Sequence, residues 1–214
     1  MKKDLLIERI LDLEWQMFSQ VQNIGGEADC QHQPGTFRNM RSSQCATWNV
    51  DLLSSWLRDL ENARQIGRNL MSEKYARMMQ DTFPEEYAMH PASLPEIDDV
   101  TMQLINDIVK IHLEWQESMT RLYPHLLSHG RPVRLRDAKP GQTSLETYLR
   151  CELMTYSHET IAIYHRATLE KKKLGQNEAE ENLSNQMRHY GFASLAEAEK
   201  KLSARAVSRI LKSN

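Results

Sequence analysis

Between residues 4 and 22, Leu6, Ile10, Leu13, Met17 and Val21 fall three or four positions apart. That repeat predicts an amphipathic helix with one apolar stripe turned to a core. Gly25-Gly26 closes it, because glycine readily takes the left-handed backbone of a helix end. A polar loop from Glu27 to Gly35 follows. The same period predicts a long second helix over about Phe37–Ile66 and a shorter one over Asn69–Gln80. Three prolines, Pro84, Pro91 and Pro95, make Thr82–Pro95 a connector with room for one helical turn. A third long helix is predicted over Glu96–Leu127 and a fourth over Thr143–Leu174, with a Gly/Pro loop at 128–142 between them. Two shorter helices fill Gln176–Ser213, divided near Tyr190-Gly191. No window alternates with β-branched residues, so no strand is predicted. The expected fold is all-α: a pseudo-duplicated four-helix bundle core with shorter flanking helices, in a single domain over 1–214.

The duplication is read from a repeated string. Leu13-Glu14-Trp15-Gln16 recurs as Leu113-Glu114-Trp115-Gln116. Downstream, Gln44, Thr47, Trp48, Asp51, Trp56 and Arg58 fall opposite Glu152, Thr155, Tyr156, Glu159, Tyr164 and Arg166 at a constant offset. The expected repeats are 4–80 and 97–192, two helix pairs about a pseudo-twofold axis.

Composition narrows the function classes. Charged residues are 26% of the 214 and the net charge is -2. A basic nucleic-acid binder would carry a clear positive excess, so no nucleic-acid partner is expected. No apolar run approaches the roughly 20 residues of a membrane span, and none is expected at a membrane. Asp4, Glu8 and Arg9 interrupt any signal-peptide core. Three cysteines, Cys30, Cys45 and Cys151, are far apart and odd in number, which fits a reducing cytoplasm better than a disulfide framework.

Candidate chemistry comes from charges on apolar faces, where burial is costly unless the charge is paired or bound. Glu14 lies mid-stripe, four residues from Ile10 and Phe18. Glu152 lies inside the stripe of Tyr148, Leu149, Tyr156 and Ile163. Arg41 is central on the second helix, with Gln44 on its flank. For the third helix two registers compete. The repeated string turns Glu114 inward, as it does Glu14. The hydrophobic phase of Leu104, Ile105, Ile108, Val109 and Ile111 turns His112 inward instead.

Three arrangements satisfy such charges. In the first, a pocket between the helix pairs takes a small molecule. Glu14 and Glu152 are then acid/base groups, Arg41 is the clamp for an anion, and Gln44, Glu114 and Arg150 are further ligand contacts. In the second, a non-catalytic interaction module uses Glu14, Glu152 and Arg41 or Arg150 as a structural network. In the third, carboxylates hold metal as in a ferritin-like oxidase. That class needs Glu-x-x-His pairs, and the chain has Glu152-x-x-Thr155 and Gln44-x-x-Thr47 in their place. No metal ligand is assigned, and the pattern names no cofactor. Cys30 and His32 in the first loop lack the second ligand pair of a zinc site. Phosphate-loop, dinucleotide, zincin, hydrolase and Cys-x-x-Cys signatures do not occur.

Several longer strings carry a resemblance. They are Ile10 to Phe18, Asn23 to Gln31, Met40-Arg41-x-Ser43-Gln44 with Trp48, Glu114-Trp115-Gln116, Tyr123-Pro124, and Thr147-Tyr148-Leu149-Arg150-x-Glu152 with Thr155-Tyr156-Ser157. Together they resemble the bacterial domain-of-unknown-function 4125 family over about residues 5–200. The resemblance implies no particular reaction. Its motifs contain Glu14, Arg41, Gln44, Glu114, Arg150 and Glu152.

Overall fold

Helix α1 (Lys3–Phe18) buries Leu6, Ile10, Leu13 and Met17 along one stripe, as the period requires. Among the described residues nine more α-helices follow: α2 (Pro34–Ala46), α3 (Val50–Gln65), α4 (Leu70–Thr82), α5 (Pro84–Met89), α6 (Asp99–Leu122), α7 (Leu145–Leu153), α8 (His158–Lys173), α9 (Glu178–His189) and α10 (Leu195–Lys212). This computed structural model describes the backbone of residues 2–22, 29–89 and 93–212, and the side chains of 2–22, 31–89 and 93–204. Among the described residues there is no strand, and no helix is long and apolar enough to cross a membrane.

Two of the long helices expected from the pattern are each divided in two. The apolar period runs on through Cys45, Trp48 and Leu52, so hydrophobicity alone does not mark the first break. Side-chain competition for the backbone makes it. The Thr47 hydroxyl donates to the Gln44 carbonyl at 2.7 Å, and the Asn49 side chain caps α3 by accepting from Leu52 N at 2.9 Å. The second break repeats this chemistry. Thr155 donates to the Glu152 carbonyl at 2.7 Å, and the Ser157 hydroxyl caps α8 by accepting from Thr160 N at 3.2 Å. Helix α6 begins at Asp99 because Asp98 accepts from Thr101 N at 2.9 Å. It stops at Leu122, since Tyr123 precedes Pro124 and is steered out of helical backbone.

The ends of α3 and α8 are also alike. Gly67 (φ 73°) and Gly175 (φ 69°) take left-handed backbone that a side chain would strain. The next amides, Arg68 N and Gln176 N, reach back to Ala63 O at 2.8 Å and Lys171 O at 2.9 Å. Asn69 and Asn177 then cap α4 and α9.

Helix α1 packs along α3 and α6 along α8, while α3 meets α8 at the centre. The shorter helices cross between these pairs, α2 to α9 and α4 to α7. The core between them holds Ile10, Leu52, Leu53, Leu60, Ile105, Ile108 and Ile161, with Trp48, Trp56 and Tyr164 fully buried. A smaller cluster of Met119, Ala179 and Leu195 holds α10 against α9.

Candidate functional site

Glu14, Arg41, Lys74 and Glu152 are brought from α1, α2, α4 and α7 to one point in the core. None is more than 6% exposed. Arg41 lies between the two carboxylates. Its Nε donates to Glu14 Oε2 at 2.8 Å and its Nη2 to Glu14 Oε1. Its Nη1 donates to Glu152 Oε1 at 2.8 Å and to the Gln44 side-chain oxygen at 2.7 Å. Lys74 Nζ donates to Glu152 Oε2 at 2.6 Å. Two stacked aromatic rings complete the set, with centroids 4.0 Å apart. Trp56 Nε1 donates to Glu14 Oε1 at 2.8 Å, and the Tyr156 hydroxyl donates to Glu152 Oε1 at 3.0 Å. Each carboxylate therefore accepts three hydrogen bonds, and two acids face two bases.

This arrangement fixes the charge states. Burial alone would raise the Glu152 pKa, but the fields of Arg41 and Lys74 and hydrogen bonds from both outweigh it. Its carboxyl is held well below the usual range. Burial would likewise lower Lys74, and the field of Glu152 raises it instead. For Arg41, burial is overcome by the fields of Glu14 and Glu152. An ionised Glu152 with its oxygens occupied has no proton to give and little basicity to offer.

A second polar group is built on α6, α8 and α9. The Tyr164 hydroxyl donates to Glu178 Oε1 at 2.9 Å, and Lys171 Nζ lies 3.2 Å from Glu178 Oε2. His112 packs edge-on against Trp115 and Tyr164 and is 8% exposed. Its Nε2 is buried and has no hydrogen-bond partner among the described residues. Burial lowers its pKa, so the ring is neutral near pH 7.

Both groups line one cavity of about 370 Å³. Arg41, Gln44, Lys74 and Glu152 contribute from one side, and His112, Tyr164 and Glu178 from the other helices. Phe18 and Phe37, stacked with centroids 5.2 Å apart, supply part of its apolar wall. Tyr148 lies in the wall with Lys74 Nζ 3.4 Å from its ring centroid and Arg131 Cζ at 5.3 Å. The exposed members of the lining, Thr36, Met40 and Arg131, mark the mouth between α2 and the segment joining α6 to α7.

Of the six residues singled out by pattern, Glu14, Arg41, Gln44 and Glu152 meet. Glu114 and Arg150 do not join them. The hydrophobic phase sets the register of α6, so His112 is inward and Glu114 is 43% exposed, paired with Lys172 at 2.8 Å. Arg150 is 42% exposed and pairs with Glu146 one turn away. Neither lines the cavity. The fork of Arg41 is spent on Glu14 rather than open to a ligand. Pattern reading missed Lys74, Tyr164, Glu178 and Arg131. Lys74 was within reach of the test that found Glu14, since it lies between Met71 and Met78 on the buried stripe of α4. Arg131 is in a loop with no period to read. Among the described residues no group of three or more His, Cys, Asp or Glu is placed to hold a metal ion. Between Glu14 and Glu152 the bridging cation is a guanidinium. Burial pushes the Cys151 thiol up to about 12 and Cys45 higher still, so neither is a ready nucleophile. The Cys30 side chain lies outside the described residues.

A family model described as "Protein of unknown function (DUF4125)" matches residues 4–200. The chain belongs to that family. No curated protein and no solved structure matches it. Membership in DUF4125 thus covers both polar groups and the cavity, and it carries no reaction with it.

Proposed function

We propose that this DUF4125 protein binds a small organic molecule in the cavity between its helix pairs. The observation that carries the reading is the cavity itself: about 370 Å³, aromatic and aliphatic in part, with a few convergent polar groups. In this reading Glu14 and Glu152 are positioning residues rather than acid/base catalysts, because Arg41, Lys74, Trp56 and Tyr156 occupy their oxygens. They hold Arg41 and Lys74 rigidly at the wall, which lowers the cost of ordering them around a ligand. Glu114 and Arg150 have no part in it.

One observation favours a second reading, a helical interaction module with a structural charge network. The two acids and two bases neutralise one another without any ligand. A thermal-shift screen of small organic molecules separates the two. Binding predicts compounds that raise the melting temperature of the native chain and lose this effect in Met40→Trp, which narrows the mouth. A screen without a single such compound would sink the binding reading.

The chain's two halves further support an origin by internal duplication. The matching breaks after Thr47 and Thr155, the paired Gly67 and Gly175 ends, and the Asn69 and Asn177 caps speak for it.

A further inference from the structure

Around Lys74, Gln44 and Arg131 the cavity wall offers charged and amide groups whose unused hydrogen-bonding capacity is that of donors. On its wall the acidic oxygens are engaged: those of Glu152 by Arg41, Lys74 and Tyr156, those of Glu178 by Tyr164 and Lys171. Donors are left over. Gln44 accepts from Arg41 through its side-chain oxygen, and because a guanidinium only donates, the amide is oriented with its NH2 free. Lys74 has three N–H groups and spends one on Glu152. Arg131 forms no hydrogen bond or ion pair among the described residues, and its Cζ lies 5.3 Å from the centroid of the Tyr148 ring. Three cations line the cavity, Arg41, Lys74 and Arg131, against two acids, Glu152 and Glu178. Lys74 and Arg131 also share one aromatic ring, and the like charges repel unless an anion lies near both.

We propose that the ligand is an organic anion with an apolar body, its carboxylate taken by Lys74, Gln44 and Arg131 beside the Tyr148 ring. The body lies against the stacked Phe18 and Phe37. This rests on the binding reading above and names the chemistry that site selects. Arg131, at the mouth and without an acid partner, is the residue that makes the site prefer a charge. Lys74 and Gln44 are held by the internal network and supply the geometry.

The test is calorimetric titration of the full chain with naphthylacetate and with naphthylacetamide, which differ in charge and little in shape. The carboxylate is expected to bind about tenfold tighter or more, as a charge-assisted contact implies. In Arg131→Gln, a change on an exposed loop, that preference should collapse to within about threefold. In Met40→Trp both probes should be lost. Equal binding of the two, or tighter binding of the amide, overturns the anion inference and leaves the cavity reading standing. Full preference retained in Arg131→Gln overturns it too. Failure of both probes to bind overturns the inference and the cavity reading together.

Discussion

On one stretch of the cavity wall a guanidinium lies between two carboxylates. On another an imidazole lies between two aromatic rings and keeps a nitrogen without a partner. Both stretches use a tyrosine that donates to a buried glutamate, Tyr156 to Glu152 and Tyr164 to Glu178. They differ in closure. In the Arg41 group every carboxylate oxygen is engaged, so it resists any change that removes one member, and its spare capacity is confined to the donors of Lys74 and Gln44. The His112 group is held by packing and one ion pair, and it has capacity to spare. Burial therefore does not by itself mark a residue as reactive. A buried charge whose partners are complete is a fixed part of the wall, and the incomplete groups are where a ligand is met.

The largest effect expected from this contrast is at Arg41. Arg41→Leu leaves Glu14 and Glu152 buried beside fewer donors, and losing one partner of such a network costs about 3–5 kcal/mol. For a domain of this size that is a fall of about 10 °C in melting temperature. Denaturant unfolding at pH 7 checks it, and a variant as stable as the native chain would dissolve the network as an energetic unit.

Next are the paired tyrosines. Tyr156→Phe and Tyr164→Phe each strip one donor from a buried carboxylate, at about 1–3 kcal/mol. Glu152 keeps Arg41 and Lys74, while Glu178 keeps only Lys171. Tyr164→Phe should therefore be the more damaging of the two. The reverse order, in matched unfolding curves, would break the distinction between a closed and an open group.

Acidification separates the two groups by pH. His112 has a folded pKa below its ordinary value of about 6.5. Its contribution to stability is present above about pH 6.5 and is lost as pH falls through the folded value. Glu152 is also depressed, from an ordinary value of about 4.3, so its contribution is present above that pH and is lost further into acid. Lys74 is raised, and its contribution fades only as pH climbs through that raised value. Unfolding free energy should thus begin to decline just below pH 6.5, and in His112→Gln the first decline should wait for the carboxylates. A native profile that stays flat down to pH 5 would contradict the buried neutral imidazole.

The smallest effect is expected at Glu114. It repeats the local string of Glu14 and is solvent-facing with Lys172. Glu114→Gln should change stability by less than about 1 kcal/mol and leave probe binding untouched. Glu14→Gln, which weakens the contact to Arg41, should be clearly destabilising. Equal effects from the two would mean that the string rather than the register decides.

That pair of residues also shows how far the pattern could be read. The stripe test found Glu14, Arg41, Gln44 and Glu152 because each lies between apolar neighbours one turn away. The same test admits Lys74, flanked by Met71 and Met78. On α6 it left two registers open and named Glu114, which faces solvent, because the repeated Glu-Trp-Gln competes with the apolar phase of Ile105, Ile108 and Val109 that sets the helix. The helix breaks at Thr47–Asn49 and Thr155–Ser157 were hidden because the apolar period continues across them. Their signal was the capping chemistry of Asn49 and Ser157, weak in one dimension and decisive once the backbone turns.

The order of residues is enough to make the chain helical, to set which face of each helix is apolar, and to put charges on those faces. These are local properties, set within a few turns by period, caps and breakers. Which charges meet depends on how the helices pack. Arg41 reaches Glu14 across 27 positions and Glu152 across 111, and Lys74 reaches Glu152 across 78. The same packing leaves a cavity beside them and puts Arg131 at its mouth. Partners so far apart in the chain, and a space between helices, belong to no segment. They exist only when the helix pairs have packed.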